Sequence, residues 1–210
     1  QRVSVADTLA DRLLRERLTE MVPGSAGYSE EGGLFGPWDG ASVRWLIDPV
    51  DGTRPATLGG AYAISVAAIG YARGEATVAA GWVYVPALAT LYRGILSPER
   101  RECTRNGLAA QVESGFTPRD LDLCYIAVGS DWHRQPLTRC PMKLSAPGAT
   151  AVHLVQLVHP GSDVVAADIS RYRSYDAAAG LGIAVAGGAC IHPVPNGSQE
   201  PAQDAVDPLE

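Results

Sequence analysis

One short stretch constrains this chain more than any other: residues 45–53 read Trp-Leu-Ile-Asp-Pro-Val-Asp-Gly-Thr. Asp48 and Asp51 stand three residues apart, with Pro49 between them. The proline removes a backbone donor and fixes φ, so a regular strand is expected to stop there. Gly52 permits a tight turn and a close approach of the backbone to a ligand. Two carboxylates on a rigid turn suit a divalent cation, although an acidic turn that caps a helix has the same spacing.

Two further acidic segments offer oxygen ligands to the same ion. Glu30 and Glu31 lie in a glycine-rich loop, and Asp176 opens a segment rich in alanine and glycine. Hard cations take several oxygen ligands, which separate segments must supply. By itself Asp176 would more simply cap a helix. The candidate metal-ligand set is Glu30, Asp48, Asp51 and Asp176.

Charge and cysteine usage limit the class of partner and the compartment. The formal net charge is −6, and no run of lysine or arginine occurs, which argues against nucleic-acid binding. An acidic protein that binds a small phosphate ester needs a metal to offset the repulsion. The four cysteines show no Cys-x-x-Cys spacing, and no apolar run approaches the roughly 18 residues of a membrane span. With no signal peptide evident, we expect a cytoplasmic protein that does not bind membranes.

The three acidic segments together resemble the inositol monophosphatase superfamily, which comprises Mg²⁺-dependent, lithium-sensitive phosphatases. The family pattern is an acid-acid loop, then Trp-x-Ile-Asp-Pro-apolar-Asp-Gly-Thr, then an aromatic residue followed by Asp-x-Ala-Ala-Gly. Residues 4–7 also resemble the family's Thr-x-Ala-Asp helix start, and residues 148–155 resemble its Gly-Ser-Ala-Ala helix. The resemblance covers residues 4 to 190, and relative to the family the chain starts later by the length of one long helix.

The resemblance implies a fold, a cofactor and an assembly. The fold would be an α/β (α+β) layered αβαβα sandwich, with an antiparallel N-terminal sheet and a mixed C-terminal sheet. Two or three Mg²⁺ ions would bind, with Mn²⁺ or Ca²⁺ able to replace them. Glu30, Asp48 and the carbonyl oxygen of Val50 would hold the first ion. Asp48, Asp51 and Asp176 would hold the second. The protein would be a homodimer that acts on a small phosphorylated substrate.

The same resemblance assigns catalytic and phosphate-binding roles. The backbone N–H groups of Gly52 and Thr53 would bind phosphate oxygens. Thr53 with Asp7 would orient and deprotonate the attacking water, and Glu30 would support catalysis as a metal ligand. A hydroxyl between an acceptor carboxylate and a water is a reasonable relay for general-base catalysis.

The rim of the expected site departs from the family pattern. Arg54 and Pro55 follow Gly-Thr, where the family usually has small or polar residues. Ile169 stands where inositol-specific members carry a glutamate, and its surroundings are basic. Arginine favours bidentate contact with a carboxylate or a second phosphate. The candidate substrate-binding residues are Arg54, Asp168, Arg171 and Arg173. They favour a substrate with a second anionic group or a base over myo-inositol monophosphate.

Three functions remain open on these residues. The first is Mg²⁺-dependent hydrolysis of a sugar, histidinol, nucleotide or inositol phosphate. The second is a specialised-pathway enzyme that uses the metal site on a diphosphate. The third is a non-catalytic phosphate-binding relic. The complete ligand set, together with Thr53, favours the first.

Hydrophobic periodicity predicts a first lobe at residues 1–118, with a helix packed on an antiparallel sheet. The helix is expected over residues 7–21 with Asp7 as its N-cap. Its apolar positions are Leu9, Leu13, Leu14, Leu18 and Met21. Residues 24–43 and 97–120 are expected to be loops. The predicted strands are 43–47, 62–71, 77–85 and 90–95.

A second, α/β lobe is predicted over residues 119–195, because strand-like and helix-like segments alternate there. Its predicted strands are 123–128, 164–167 and 189–193, and its predicted helices are 150–158 and 175–186. The last segment, 196–210, is rich in proline, glycine and polar residues and is expected to be a flexible tail.

Overall fold

An eight-stranded mixed sheet forms the main layer of the molecule. The computed structural model describes residues 5–72, 75–113, 125–128, 143–145, 148–168 and 172–191. In spatial order the strands are β2 (Gly33–Phe35), β1 (Ala26–Ser29), β3 (Arg44–Asp51), β4 (Ala63–Ala72), β5 (Glu75–Val85), β6 (Thr90–Leu96), β7 (Arg101–Arg105) and β8 (Leu108–Ala109). Neighbouring strands are antiparallel except β1 and β3, which run parallel.

Helices cover both faces of this sheet. Helix α1 (Val5–Met21) contacts β3 and β1 on one face, and the short helix α2 (Thr53–Thr57) follows β3. On the other face lie α3 (Thr150–Gln156) and α4 (Ser174–Ala186), which pack against each other. A second, parallel sheet contacts α3; its order is β10 (Lys143–Ser145), β9 (Tyr125–Val128) and β11 (Val164–Asp168). The predicted layered α/β fold is confirmed. The large sheet is mixed and not antiparallel, because β1 and β3 run parallel, and the described strands of the second sheet are all parallel and not mixed.

Alternation along β3 divides the apolar residues between two cores. Trp45 and Ile47 pack towards α1, where Leu14 and Leu18 meet them. Leu46 points the other way, into the larger cluster that includes α3 and α4. Both faces of β3 are therefore buried, which explains its nearly continuous apolar sequence. No helix in the part of the chain that the structure describes is long and apolar enough to cross a membrane.

Two glycines of the sheet let α4 approach the strands closely. A Cβ atom at Gly81 would lie 2.5 Å from the carbonyl oxygen of Ala179. A Cβ atom at Gly94 would lie 2.6 Å from the Cα of Ile183. Larger residues would force the helix away, because a packed interior has no free space to absorb them. This contact fixes the position of the helix whose first turn carries Asp176.

Helix α1 differs from its prediction in where it begins and in the face that it buries. It begins at Val5, so Asp7 lies inside the first turn and is not the N-cap. The inward side chains near its start are Asp7 and Asp11, both buried. Leu9 and Leu13 are instead 51% and 55% exposed. The leucine periodicity therefore indicated the helix correctly but its buried face only in part, because Leu14 and Leu18 pack on the sheet and Leu9 and Leu13 do not.

Several short strands lie where loops were predicted. β1 and β2 fall within residues 24–43, and β7 and β8 fall within residues 97–120. Their sequences are glycine-rich or polar, so they lack the alternation that marks a strand. They are held by backbone pairing with neighbouring strands, which for β1 includes the parallel pairing with β3. Their assignment as loops was wrong for that reason.

Strand β3 continues through Pro49 to Asp51, whereas the predicted strand stopped at residue 47. Its register with β4 shifts between Asp48 and Asp51, so the proline lies at a β-bulge, one of the few strand positions that tolerate it. Both helices predicted within residues 119–195 are present, with small shifts at their ends. Residues 189–191 form no strand, contrary to the prediction. The predicted lobe boundary near residue 118 and the tail at 196–210 lie outside the described residues.

Candidate active site

The bulge in β3 places Asp48 and Asp51 on the same face of the sheet. In a regular strand, residues three apart point to opposite faces. Here Asp48 pairs with Ser65 and Asp51 pairs with Ala63, and these two partners lie two residues apart on β4. The extra residue in β3 therefore turns Asp51 to the side that Asp48 occupies. Both aspartates are buried, 1% and 5% exposed respectively.

Glu30 and Asp176 reach Asp48 from two different elements. The backbone N–H of Glu30 donates to the carbonyl oxygen of Ile47 at 3.0 Å, which extends the β1–β3 pairing beside Asp48. On the other side, the Ser65 hydroxyl donates to the carbonyl oxygen of Tyr175 at 3.4 Å and ties the start of α4 to β4. Carboxylate oxygens of Glu30, Asp48 and Asp176 consequently lie within 4.8 Å of one another.

Asp51 lies beside this group and anchors the start of α3. The backbone N–H of Thr150 donates to Oδ1 of Asp51 at 2.9 Å, and that of Ala151 donates to Oδ2 at 2.6 Å. A carboxylate satisfies the free N–H groups at the start of a helix and interacts favourably with the helix dipole. Each oxygen still has a second lone pair, so these bonds leave room for a metal ion. The role of Asp51 as a metal ligand stays a prediction.

The surroundings of these carboxylates oppose their ionisation and raise their pKa values. Burial raises the pKa of Asp48 well above its usual value, and the charges of Asp51 and Glu30 raise it further. Burial raises the pKa of Asp51 to about 7, although hydrogen bonds from Ala151 and Thr150 act in the opposite direction. Burial and then the charge of Glu30 raise the pKa of Asp176 to about 6. A divalent cation would relieve this repulsion, and a set of carboxylate oxygens fits Mg²⁺.

The turn after Asp51 brings Thr53 to Asp7. Gly52 adopts a left-handed conformation with φ 86°, and a Cβ atom there would lie 2.7 Å from the Cβ of Ala149. Both facts require glycine at this position. Oγ1 of Thr53 then lies 3.2 Å from the carbonyl oxygen of Val50 and 3.5 Å from Oδ1 of Asp7. Asp7 is the inward residue of α1, so the helix delivers this carboxylate to the turn.

An open cleft of about 680 Å³ gives access to these groups. The carboxylates of Glu30, Asp48, Asp51 and Asp176 line it, together with Val50, Gly52 and Thr53. Arg54 lies exposed at its rim, and the charge of Arg173 acts on Asp176. Asp168 is the last residue of β11, and Arg171 lies outside the described residues.

The structure adds residues that the sequence patterns did not single out. Tyr172 lines the cleft, and Thr150 contributes both to the lining and to the anchoring of Asp51. Asp11 is buried one helical turn after Asp7 and forms an ion pair with Arg15 at 3.3 Å. The spacing of four residues between Asp7 and Asp11 was the available signal, because such residues share a helix face.

Comparison with solved structures shows the same fold elsewhere. The structure is similar to that of the extragenic suppressor protein SuhB from Bartonella henselae, with a TM-score of 0.72 and 22% identity, over 89% of this chain and 72% of that chain. It is also similar to an inositol monophosphatase from Anabaena (Nostoc) sp. PCC 7120, with a TM-score of 0.71 and 22% identity, over 89% and 73% of the two chains. At these identities the likeness shows the fold alone.

Comparison with curated sequences points the same way over a shorter stretch. An inositol-1-monophosphatase of Mycobacterium leprae is 44% identical over 92 residues, which cover 39% of this chain and 31% of that relative. A fructose-1,6-bisphosphatase/inositol-1-monophosphatase of Aquifex aeolicus is 33% identical over 92 residues, which cover 44% of this chain and 33% of that relative. The matched stretch thus spans less than two thirds of the length of these relatives.

A family-wide sequence model gives the broadest match. The model described as the inositol monophosphatase family matches residues 1–205, nearly the whole chain. The match includes all the acidic segments that meet in the cleft. The chain belongs to the inositol monophosphatase family.

Proposed function

We propose that this protein is a Mg²⁺-dependent phosphatase that hydrolyses a small phosphate monoester. One observation carries the proposal: carboxylate oxygens of Glu30, Asp48 and Asp176 lie within 4.8 Å of one another at the floor of an open cleft. Carboxylates with raised pKa values that line a cleft are typical of functional sites. Membership of a phosphatase family supports the same reaction class.

The residues present fit the metal that the family requires. Glu30 and Asp48, with the carbonyl oxygen of Val50, would hold one Mg²⁺, and Asp48, Asp51 and Asp176 would hold another. When bound, Mg²⁺ would neutralise phosphate charge and lower the pKa of a water molecule. Asp48 contributes to both groups of ligands. Its Oδ1 also accepts the backbone N–H of Val50 at 3.0 Å, which holds the side chain towards the bulge.

Thr53 and Asp7 are the groups that we propose to orient the attacking water. The Thr53 hydroxyl carries a single proton, which it can give to Asp7 or to the carbonyl oxygen of Val50. In either case the hydroxyl oxygen keeps lone pairs that can accept a hydrogen bond from water. Asp7 is 1% exposed, so packing holds its carboxylate in a fixed position next to the Thr53 hydroxyl.

Phosphate release from a panel of esters tests the proposed reaction class. We expect release from phosphate monoesters that depends on added Mg²⁺ and is abolished by a chelator. A diphosphate should serve as a substrate only if the specialised-pathway alternative is correct. Metal-dependent binding of phosphate esters without any release would instead support the phosphate-binding relic.

Replacing Thr53 by alanine is expected to lower kcat by about a hundredfold, the low end of the range for general acid–base groups. The affinity for Mg²⁺ should change little, because the hydroxyl orients water and is not one of the proposed metal ligands. Steady-state kinetics across a Mg²⁺ series would separate the two effects. A large loss of metal affinity with unchanged kcat would contradict the assignment.

Thr57 offers a matched control on the same short helix. Thr57 also lines the cleft, but its hydroxyl donates to the carbonyl oxygen of Arg54 at 2.8 Å, whereas the hydroxyl of Thr53 is the one that reaches Asp7. Thr57→Ala makes the same chemical change four residues away. We expect its kcat to remain close to that of the wild type.

We propose that the preferred substrate carries a second anionic group or a base. The phosphate site consists mostly of backbone and metal, so discrimination must come from the rim. Arg54 is exposed at the cleft and Arg173 lies near Asp176. Asp168 and Arg171 remain candidates from the sequence. The Aquifex aeolicus relative, named for fructose-1,6-bisphosphatase as well as inositol-1-monophosphatase activity, is consistent with a doubly phosphorylated substrate.

Kinetics on matched substrates test this preference. The experiment would compare kcat/KM for myo-inositol 1-phosphate with the values for fructose 1,6-bisphosphate, histidinol phosphate and adenosine phosphates. The preferred substrate should exceed myo-inositol 1-phosphate in kcat/KM by at least about tenfold, since a charge-assisted hydrogen bond is worth roughly 1.5–3 kcal/mol. Arg54→Ala or Arg173→Ala should reduce that advantage and leave myo-inositol 1-phosphate nearly unaffected. Highest activity on myo-inositol 1-phosphate would overturn the preference.

We further propose a cytoplasmic homodimer, as the family resemblance implies. Among the described residues, Cys103 and Cys190 are free thiols, which agrees with a reducing compartment. Burial raises the pKa of the Cys103 thiol to about 11, so it stays protonated and unreactive. Light scattering on the purified protein should report twice the mass of the chain, and a monomer would contradict the assembly.

A further inference from the structure

The turn that carries Glu30 is held from two sides. It joins β1 to β2 and comprises residues 30–32. On the sheet side, the backbone N–H of Glu30 donates to the carbonyl oxygen of Ile47 at 3.0 Å. On the helix side, Nη1 of Arg15 donates to the carbonyl oxygen of Gly32 at 3.3 Å. Arg15 therefore links α1 to the segment that presents a candidate metal ligand.

Arg15 is itself fixed by two neighbours. Its Nη1 also donates to Oδ2 of Asp11 at 3.3 Å, and Asp11 is only 6% exposed. Its guanidinium carbon lies 5.2 Å from the centre of the Phe35 ring, a cation–π contact with the strand that follows the turn. Both hydrogen bonds come from Nη1 while the planar guanidinium lies over the ring; a lysine ammonium has enough donors for the two bonds but no planar group to lie over the ring.

Gly32 leaves the space that this arrangement needs. A Cβ atom at position 32 would overlap Nη1 of Arg15 and would lie 2.5 Å from Oδ2 of Asp11. The obstructing group is the far end of a flexible side chain, so an alanine at 32 would displace Arg15 and leave the backbone of the turn intact. Gly32 thus permits the contact between α1 and the turn.

We propose that Arg15 is a positioning residue that sets the affinity of the site for divalent metal by fixing the Glu30 turn. The inference rests on the proposed function, because it requires Glu30 to bind metal. Arg15 touches neither the cleft nor the three clustered carboxylates. Its guanidinium also offsets the charge of Asp11, which together with Asp7 adds to the negative potential at the neighbouring Glu31. Without Arg15 the turn loses this hydrogen bond to α1 and keeps the sheet-side bond from Glu30 to Ile47, so a larger part of its ordering is left to the metal.

Direct metal binding by Arg15→Gln tests the proposal. Glutamine keeps much of the aliphatic stem and removes the charge and the planar donor pair. Mn²⁺ binding is read from the free-ion signal in electron paramagnetic resonance, and Mg²⁺ affinity from competition. We expect affinity to fall about three- to tenfold, below the 10- to 100-fold typical of groups that hydrogen-bond a metal ligand directly. The kcat at saturating Mg²⁺ should be close to that of the wild type.

Arg12→Gln is the matched control. Arg12 lies on the same helix, is exposed, and loses the same charge on substitution. If Arg15 acts through its contacts, Arg12→Gln should bind Mn²⁺ as the wild type does. An equal loss in both variants would show that net charge alone is responsible and would overturn the proposal.

Gly32→Ala tests the contact without changing any charge. It should weaken Mn²⁺ binding to a similar degree as Arg15→Gln. The Arg15→Gln/Gly32→Ala double variant should bind Mn²⁺ about as tightly as the single variant with the lower affinity, because both substitutions remove the same contact. Additive losses would contradict the proposal. Arg15→Lys should recover part of the affinity at most, since it keeps the charge and the donors but loses the planar group that lies over Phe35.

The outcomes separate this proposal from the proposed function. If the wild type binds neither Mn²⁺ nor Mg²⁺, the metal site fails and the role of Arg15 fails with it. If the wild type binds metal and Arg15→Gln binds it equally well, only the role of Arg15 is refuted. Far-ultraviolet circular dichroism of each variant establishes that a loss of binding is not a loss of fold.

Discussion

Replacing Asp48 by asparagine is expected to abolish metal binding and phosphatase activity together. Asp48 is 1% exposed, and its carboxylate lies within 4.8 Å of those of Glu30 and Asp176, so its loss removes a buried ligand from the centre of the proposed metal site. A bound metal supplies several kcal/mol of transition-state stabilisation, and each 1.4 kcal/mol is a factor of ten. We therefore expect kcat/KM to fall by about a thousandfold or more. Calorimetric titration with Mg²⁺ and phosphate-release kinetics would measure the two losses.

Asp39→Asn is the matched control for this prediction. Asp39 is exposed in the loop before β3, so the same change there should leave binding and turnover near the wild-type values. The asparagine at 48 can still accept the backbone N–H of Val50 through its side-chain oxygen, so the bulge should persist. Activity of Asp48→Asn at saturating Mg²⁺ would count decisively against the metal-ligand role.

The metal-free protein is expected to lose stability as the pH rises from about 4 to about 7. The folded-state pKa of Asp51 is raised from 3.8 to about 7, chiefly by burial, and that of Asp176 to about 6. Over this window the unfolded chain releases protons that the folded chain retains, so deprotonation favours unfolding. For Asp51, the difference between 3.8 and about 7 corresponds to roughly 4 kcal/mol. The loss should level off above the folded-state pKa values.

Urea denaturation of chelator-treated protein would measure this dependence, at pH values from about 4 to above about 7, the range that the pKa shift of Asp51 spans. Added Mg²⁺ should restore stability, and most strongly at the high end, where the carboxylates are ionised and free to bind it. Metal-free Asp48→Asn should be more stable than the metal-free wild type at about pH 8, because one of the mutually repelling charges is gone. A metal-free wild type that becomes more stable with rising pH would refute the prediction.

Local patterns in the sequence predicted those elements whose signal lies within a few residues. Strands β4, β5 and β6 carry alternating or β-branched runs separated by turn residues, and helices α3 and α4 carry helical spacing. The edge strands β2 and β8 do not, since their existence depends on a neighbour that supplies the hydrogen bonds. The face that α1 buries was also beyond local patterns. It combines Leu14 and Leu18 with the acidic residues Asp7 and Asp11, and the leucine periodicity does not indicate the acidic part.

The sequence by itself determined which residue types were available for metal chemistry and the rigid turn that carries two of them. It could not determine that Asp48 and Asp51 point the same way, because a spacing of three residues reverses direction in a regular strand. The bulge opposite β4 decided that. Parallel pairing of β1 with β3 brought Glu30 to Asp48, and the close packing of α4 on Gly81 and Gly94 brought Asp176. These are contacts between segments distant in the chain, and only folding creates them.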